Sequence, residues 1–210
     1  WDNAYVIHHL YEDNQVEIPD IISECEKAGN PNLVYEFAST SKVSFPGSGI
    51  AAMAASAENL ADVKKQMTIQ TIGYDKLNQL RHVAYFKNID GLKAHMKKHA
   101  DAMRPKFEAV LKVLDEELTG AEIGSWVKPL GGYFISFDAM EGCAKKIVAK
   151  CKEAGVTLTN AGATFPYGKD PKDSNIRIAP SFPTPEEMAV ATDLFVLCVK
   201  LVSVEKLLEN

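Results

Sequence analysis

Apolar positions along the chain fall into two rhythms. Between Glu17 and Gly29, Ile18, Ile21, Ile22 and Cys25 recur at helical spacing, with Pro19 near the first turn and Gly29 at the C-terminal end. The short, mostly apolar run Leu33–Ala38 follows and reads as a buried strand, so this segment has the form of an α/β crossover. Gly49–Ala55 is small and apolar and predicts a strand; Ser56 then caps a helix from about Ala57 to Thr68. Asp75–Phe86 predicts an amphipathic helix with Leu77, Leu80, Val83 and Ala84 turned inward.

Leu92–Leu118 predicts one long helix, since Met96, Ala100, Met103, Phe107, Val110, Leu111 and Leu114 keep helical intervals; Pro105 is expected to kink it. Ser125–Lys128 and Tyr133–Phe137 read as strands around Pro129-Leu130-Gly131-Gly132. A helix over Gly142–Ala154 is closed by Gly155, and strands are expected at Val156–Thr159 and Asn175–Ile178. Thr184-Pro185-Glu186-Glu187 opens a strongly apolar last helix, with proline at its first position and acids in its first turn. From about Gly91 onward the pattern is an α+β unit around a small sheet.

Composition narrows the class. Apolar residues make up 46% and charged residues 24%, ordinary for a folded globular protein. A net charge of −5 argues against a general nucleic-acid surface. Cys25, Cys143, Cys151 and Cys198 are far apart and form no Cys-x-x-Cys, which suits a reduced, cytoplasmic protein. No apolar run reaches the roughly 18 residues of a membrane span.

The candidate chemistry begins at Ser39-Thr40-Ser41-Lys42, between the apolar run and the turn Phe45-Pro46-Gly47-Ser48-Gly49. Hydroxyls and exposed backbone N–H groups suit a phosphate. A partly desolvated lysine among them can act as a neutral amine and attack a carbonyl carbon, which suggests a Schiff base with pyridoxal phosphate (PLP). Asp2 could keep the cofactor's pyridine nitrogen protonated, and Tyr5 could donate to its ring oxygen. Asp2 and Tyr5 reach one ring only if the chain leaves strand geometry at Asn3-Ala4, because positions i and i+3 of a strand face opposite sides. Arg177, in the strand-like Asn175-Ile176-Arg177-Ile178, offers a planar fork for a carboxylate, from a substrate or from an internal Asp or Glu. His95 and His99 are four apart, but with no third ligand in sight they read as surface or packing histidines, as do His8 and His9; no metal is expected.

These elements, in this order, resemble the fold-type I PLP-dependent aminotransferases. Asp2-Asn3-Ala4-Tyr5-Val6-Ile7-His8-His9-Leu10, the stretch from Gly73 to His82, the loop from Ala161 to Pro171, and Asn175–Pro180 resemble a branch of aspartate aminotransferases known as MocR-like. The resemblance runs over nearly all of the 210 residues. It implies an α/β fold: residues 1–90 as the C-terminal part of the large mixed-sheet PLP-binding domain, and residues 91–210 as a linking helix and a small α+β C-terminal domain. It implies PLP held by Asp2, Tyr5, Ser39, Ser41 and Lys42, with Lys42 catalytic and Arg177 on the substrate α-carboxylate. Lys76 is the candidate for a distal carboxylate, and Gly73–His82 is expected to reach the neighbouring subunit's site.

The implied reaction is transamination between an amino acid, aspartate, and a 2-oxo acid, 2-oxoglutarate, in a homodimer. A PLP-dependent lyase and the aminotransferase-like sensor domain of a transcription regulator remain alternatives. Many relatives carry an arginine for the phosphate shortly after Pro-Gly; here Ser48-Gly49 stand in its place, leaving serines, backbone N–H groups, Arg81 or residues elsewhere to compensate. Because Trp1-Asp2 opens directly on a site residue, the chain reads as the C-terminal half of a longer polypeptide, expected to be inactive without the N-terminal half.

Overall fold

The computed structural model describes residues 1–209. They form two compact units, Trp1–His99 and a second beginning at Ala100. Among the described residues no helix is long and apolar enough to cross a membrane.

In the first unit the Asp2 segment lies parallel to β1 (Tyr35–Ser39), pairing through Phe37: the Asn3 amide donates to the Phe37 carbonyl at 2.7 Å and the Phe37 amide to the Trp1 carbonyl at 2.8 Å. Between these parallel pieces runs α1 (Ile21–Lys27), so the crossover expected from sequence is present. The helix starts later than its apolar spacing suggests. Asp20 is its cap, accepting from the Ile22 and Ser23 amides, and Pro19 stands outside. β2 (Ala51–Ala55) pairs antiparallel with β1, setting Phe37 opposite Met53. Helices α2 (Ala57–Gln70), capped by Ser56, and α3 (Lys76–Phe86), capped by Asp75, complete the unit with the first part of α4 (Ile89–Leu118).

Two expectations fail here. The Leu33–Ala38 run is not buried: the strand starts at Tyr35, and Leu33, Tyr35 and Phe37 are exposed. Its composition suits a covered strand, but a two-stranded sheet has few neighbours to cover it. On α3 the inward face is the opposite of the one expected. Leu77, Leu80 and Val83 are each 63% exposed, whereas Asn78 and His82 are buried. Those two polar side chains find partners inside, so burying them leaves nothing unsatisfied.

The second unit holds a conventional core. Its sheet is antiparallel in the order β3 (Gly124–Trp126), β4 (Ile135–Ala139), β5 (Asn175–Ile178). Register places Ile135 opposite Ile178 and Phe137 opposite Ile176, all buried; Ser136 and Arg177 pair on the other face. α4 runs unbroken through Pro105 and contributes Phe107, Val110 and Leu114 to the core. α5 (Ala144–Glu153) adds Ile147, and α6 (Pro185–Leu208) adds Phe195, Val196, Val199 and Val202 at helical spacing. Each such side chain contributes about 1.5–3 kcal/mol by leaving water. Phe137 stacks on Trp126 and meets Phe195 edge-on at 5.0 Å; Gly124 makes room, since a Cβ there would lie 2.5 Å from the Phe137 Cζ. Pro185 opens α6 as the sequence predicts, and Thr184 caps it in a reciprocal box with Glu187. Cys151 is buried beside Cys198, and burial pushes its thiol up to about 12, which leaves it unreactive. Val156–Thr159 is not a strand; it is irregular and lines a cavity.

Candidate active site

The site grows from the end of β1. Past Ser39 the chain closes one tight turn, in which the Val43 and Ser44 amides both donate to the Thr40 carbonyl at 2.9 Å, and Lys42 stands in its middle. The Ser39 and Ser41 hydroxyls are 3.2 Å apart on its outer side. Lys42 is exposed, so the partial desolvation expected for it is not supplied within this unit; its Nζ lies 5.9 Å from the centroid of the Tyr5 ring.

Asp2 and Tyr5 approach this turn from the neighbouring segment. The parallel pairing with Phe37 sets Asp2 beside the strand that delivers Ser39. The chain then leaves extended geometry, with turns over residues 4–7 and the Ala4 amide donating to the Asp2 carboxylate at 2.9 Å. That is the bend needed if Asp2 and Tyr5 are to serve one ring. Tyr5 is thus brought near Lys42, Ser39 lies against Ser41, and Asp2 is paired with Phe37, two residues before Ser39.

Gly49 bears on the missing arginine. A Cβ at this position would lie 2.9 Å from the Ser41 Oγ and 3.0 Å from the Ser41 N and Cα. The glycine allows the Pro-Gly turn to close onto Ser41, and no larger side chain fits this backbone. Arg81 is on α3, where it lines a cavity of about 220 Å³ with Ser44, Ser48, Asn78 and Tyr85. Lys76 is exposed at the first position of α3.

Four histidines surround the lysine turn, three of which, His8, His95 and His99, read in sequence as surface or packing residues. His8 is buried, and its Nε2 meets the Lys42 carbonyl at 3.2 Å. The His95 Nε2 donates to the Val43 carbonyl at 2.8 Å, and the His99 Nε2 lies 3.2 Å from the His95 Nε2. The His82 Nε2 lies 2.7 Å from the Ser44 Oγ and 3.0 Å from the Thr40 Oγ1. His82 thus turns toward its own chain's lysine turn, and Asn78 donates to the Ser48 carbonyl at 2.6 Å. Burial lowers the pKa of His8; burial, with His95 and His8 nearby, lowers that of His99. In sequence the i, i+4 spacing of His95 and His99 places them on one helix face but does not show what they contact. Among the described residues no cluster of three or more His, Cys, Asp or Glu could hold a metal ion.

Arg177 belongs to the second unit. It sits on β5 opposite Ser136 and borders a cavity of about 310 Å³ that Val156, Thr159, Met188 and Phe195 also line. Its guanidinium carbon lies 4.4 Å from the centroid of the Phe134 ring. Its Nε is buried with no hydrogen-bond partner among the described residues. The internal Asp or Glu partner left open by the sequence does not occur there: none of the ion pairs among the described residues involves Arg177.

Known proteins resemble the chain over nearly its whole length. A family model described as aspartate amino-transferase matches residues 1–210. An aspartate aminotransferase of Corynebacterium glutamicum is 43% identical over 205 residues, covering 98% of this chain and 47% of that protein. The crystal structure of an aspartate transaminase from C. glutamicum superposes with a TM-score of 0.94 at 43% identity, over 98% of this chain and 48% of that one. The Thermus thermophilus α-aminoadipate aminotransferase LysN, solved with N-(5'-phosphopyridoxyl)-L-leucine, shares the fold at a TM-score of 0.76 and 22% identity, over 96% of this chain and 49% of that one. The chain spans about half the length of the curated relatives it matches.

Proposed function

The chain belongs to the aspartate amino-transferase family, and on that premise we propose that it carries the lysine side of a PLP-dependent aminotransferase acting on aspartate and 2-oxoglutarate. The stretches Asp2–Leu10, Gly73–His82 and Ala161–Pro171 support placing it in the MocR-like branch. The observation that carries the reading is the grouping of a lysine amine, a tyrosine ring 5.9 Å from it and two adjacent serine hydroxyls on one turn.

These residues fit PLP. The serine pair offers two hydroxyls suited to a phosphate. Asp2 would face the pyridine nitrogen, Tyr5 the ring oxygen, and Lys42 the aldehyde carbon. Bound there, PLP supplies an electron sink for the pair left when the substrate α-carbon loses its proton. Lys42 holds that proton and delivers it, acting in turn as general base and general acid. Arg177 takes the substrate α-carboxylate; its unpartnered Nε supports this, since a buried guanidinium N–H needs an acceptor. Lys76 is the candidate for the distal carboxylate.

The remainder of the polypeptide is proposed to cover the exposed apolar side chains of the first unit, Leu33, Tyr35 and Phe37 among them, and to desolvate Lys42. The complete protein is proposed to work as a cytoplasmic homodimer.

The test uses the complete polypeptide with PLP, L-aspartate and 2-oxoglutarate, following oxaloacetate and glutamate together. Equal formation of both is expected, with Lys42→Ala slowing it about 10²–10⁴-fold. Release of carbon dioxide or ammonia from aspartate without glutamate would instead point to a lyase.

A further inference from the structure

We propose that His82 is a positioning residue for Lys42, an assignment that rests on reading Lys42 as the cofactor lysine. The turn that carries Lys42 is short, and two amide bonds to the Thr40 carbonyl are the backbone bonds that close it. His82 grips it at both ends from a separate element. Its Nδ1 lies 2.9 Å from the Asn78 carbonyl, which can only accept, so the ring carries its proton there. In the neutral ring Nε2 is then an acceptor, facing the Ser44 hydroxyl at 2.7 Å and the Thr40 hydroxyl at 3.0 Å. Those two residues bracket Lys42. The Thr40 Oγ1 also accepts from the Ile50 amide at 2.9 Å, which ties the turn to the segment entering β2.

Asn78 extends the grip. One helical turn before His82 on α3, it donates to the Ser48 carbonyl at 2.6 Å and the Gly49 carbonyl at 3.2 Å. α3 thus holds the loop from Thr40 to Gly49 on both sides of the Pro-Gly turn, and Gly49 in turn abuts Ser41. This explains why α3 buries Asn78 and His82 and leaves Leu77 and Leu80 outside. A reacting amine must be held to within about half an ångström, and four flexible methylenes cannot supply that alone. The position of the lysine backbone has to, and a shift of about 1 Å can cost about a hundredfold.

The experiment measures how fast Lys42 captures PLP in the complete polypeptide, by hydride reduction at timed intervals and mass mapping of the pyridoxyl group, alongside the thermal midpoint without PLP. His82→Leu removes the acceptor and is expected to slow capture at Lys42 about tenfold or more. His82→Gln, whose amide oxygen can accept where Nε2 did, is expected to recover the rate to within about threefold. Ser44→Ala cuts the same contact from the other side, should reproduce the slowing, and serves if His82→Leu does not fold. Capture at the wild-type rate in His82→Leu or Ser44→Ala would overturn the assignment, and so would His82→Gln as slow as His82→Leu. No adduct at Lys42 in the wild type would overturn the cofactor reading and this assignment with it.

Discussion

The two units solve different problems with similar amino acids. In the second, Phe137 is fully buried between Trp126 and Phe195; in the first, Phe37 is 50% exposed on a two-stranded sheet. Among the described residues, the largest fully buried side chains lie beyond His99 with one exception, Val43, the residue after the candidate lysine. The second unit is held by apolar packing. The first is held around the lysine turn by directed hydrogen bonds with His8, His82, His95 and Asn78. Packing holds side chains by shape, whereas hydrogen bonds fix particular polar atoms in a unit with few neighbours to pack against, and a catalytic amine needs its backbone fixed. The contrast also predicts where the proposed cover would add most, on the bare faces of the first unit.

Truncation in the second core should have the largest effect. Phe137→Ala is expected to cost about 3–5 kcal/mol in urea unfolding. A loss under about 1 kcal/mol would mean that this core is loosely packed. Phe37→Ala sharpens the comparison. In the complete polypeptide it should cost about 3 kcal/mol if the proposed cover lies on β1. A cost within about 0.5 kcal/mol would leave that face bare and remove the cover.

Asn175→Ala tests the polar pinning that the second unit does contain. The side chain donates to the Ser136 Oγ and the Asp138 Oδ1, both at 2.9 Å, and accepts from the Thr164 hydroxyl at 2.7 Å. Its removal strands those partners and should cost about 1–3 kcal/mol. No change in the unfolding midpoint would show that water replaces it.

The smallest effect is the dependence on pH. His8 and His99 have pKa values below the ordinary 6.5 in the folded protein. Between the folded and unfolded values the unfolded chain binds more protons, so stability rises with pH there. It is fully present above about 6.5 and is lost as the pH falls below that. The thermal midpoint should drop between pH 7.5 and 5.5, and replacing both rings with asparagine should flatten the slope. An unchanged slope would place the titration elsewhere.

Much of the second unit is legible in sequence because its signals are local. β5 has the bounds its apolar alternation suggests, and α6 opens with Pro185 at its first position and acids in its first turn, as expected. The candidate site is legible in part: Ser39, Ser41 and Lys42 are contiguous, and the bend after Asn3 follows from asking two side chains to serve one ring. The α3 face was misread because periodicity weighs apolar residues alone. It cannot see that Thr40 and Ser44, about forty residues earlier, offer hydroxyls to His82. Val156–Thr159 differs because a run with three β-branched residues forms a strand only if a neighbouring strand is free to pair with it.

The most direct measurement is to treat the complete polypeptide with PLP, reduce with hydride, and map the modified peptide by mass. The expected result is a single pyridoxyl group on Lys42, absent from Lys42→Ala. Modification at another lysine, or none, would contradict the assignment of Lys42 as the residue on which the site is built.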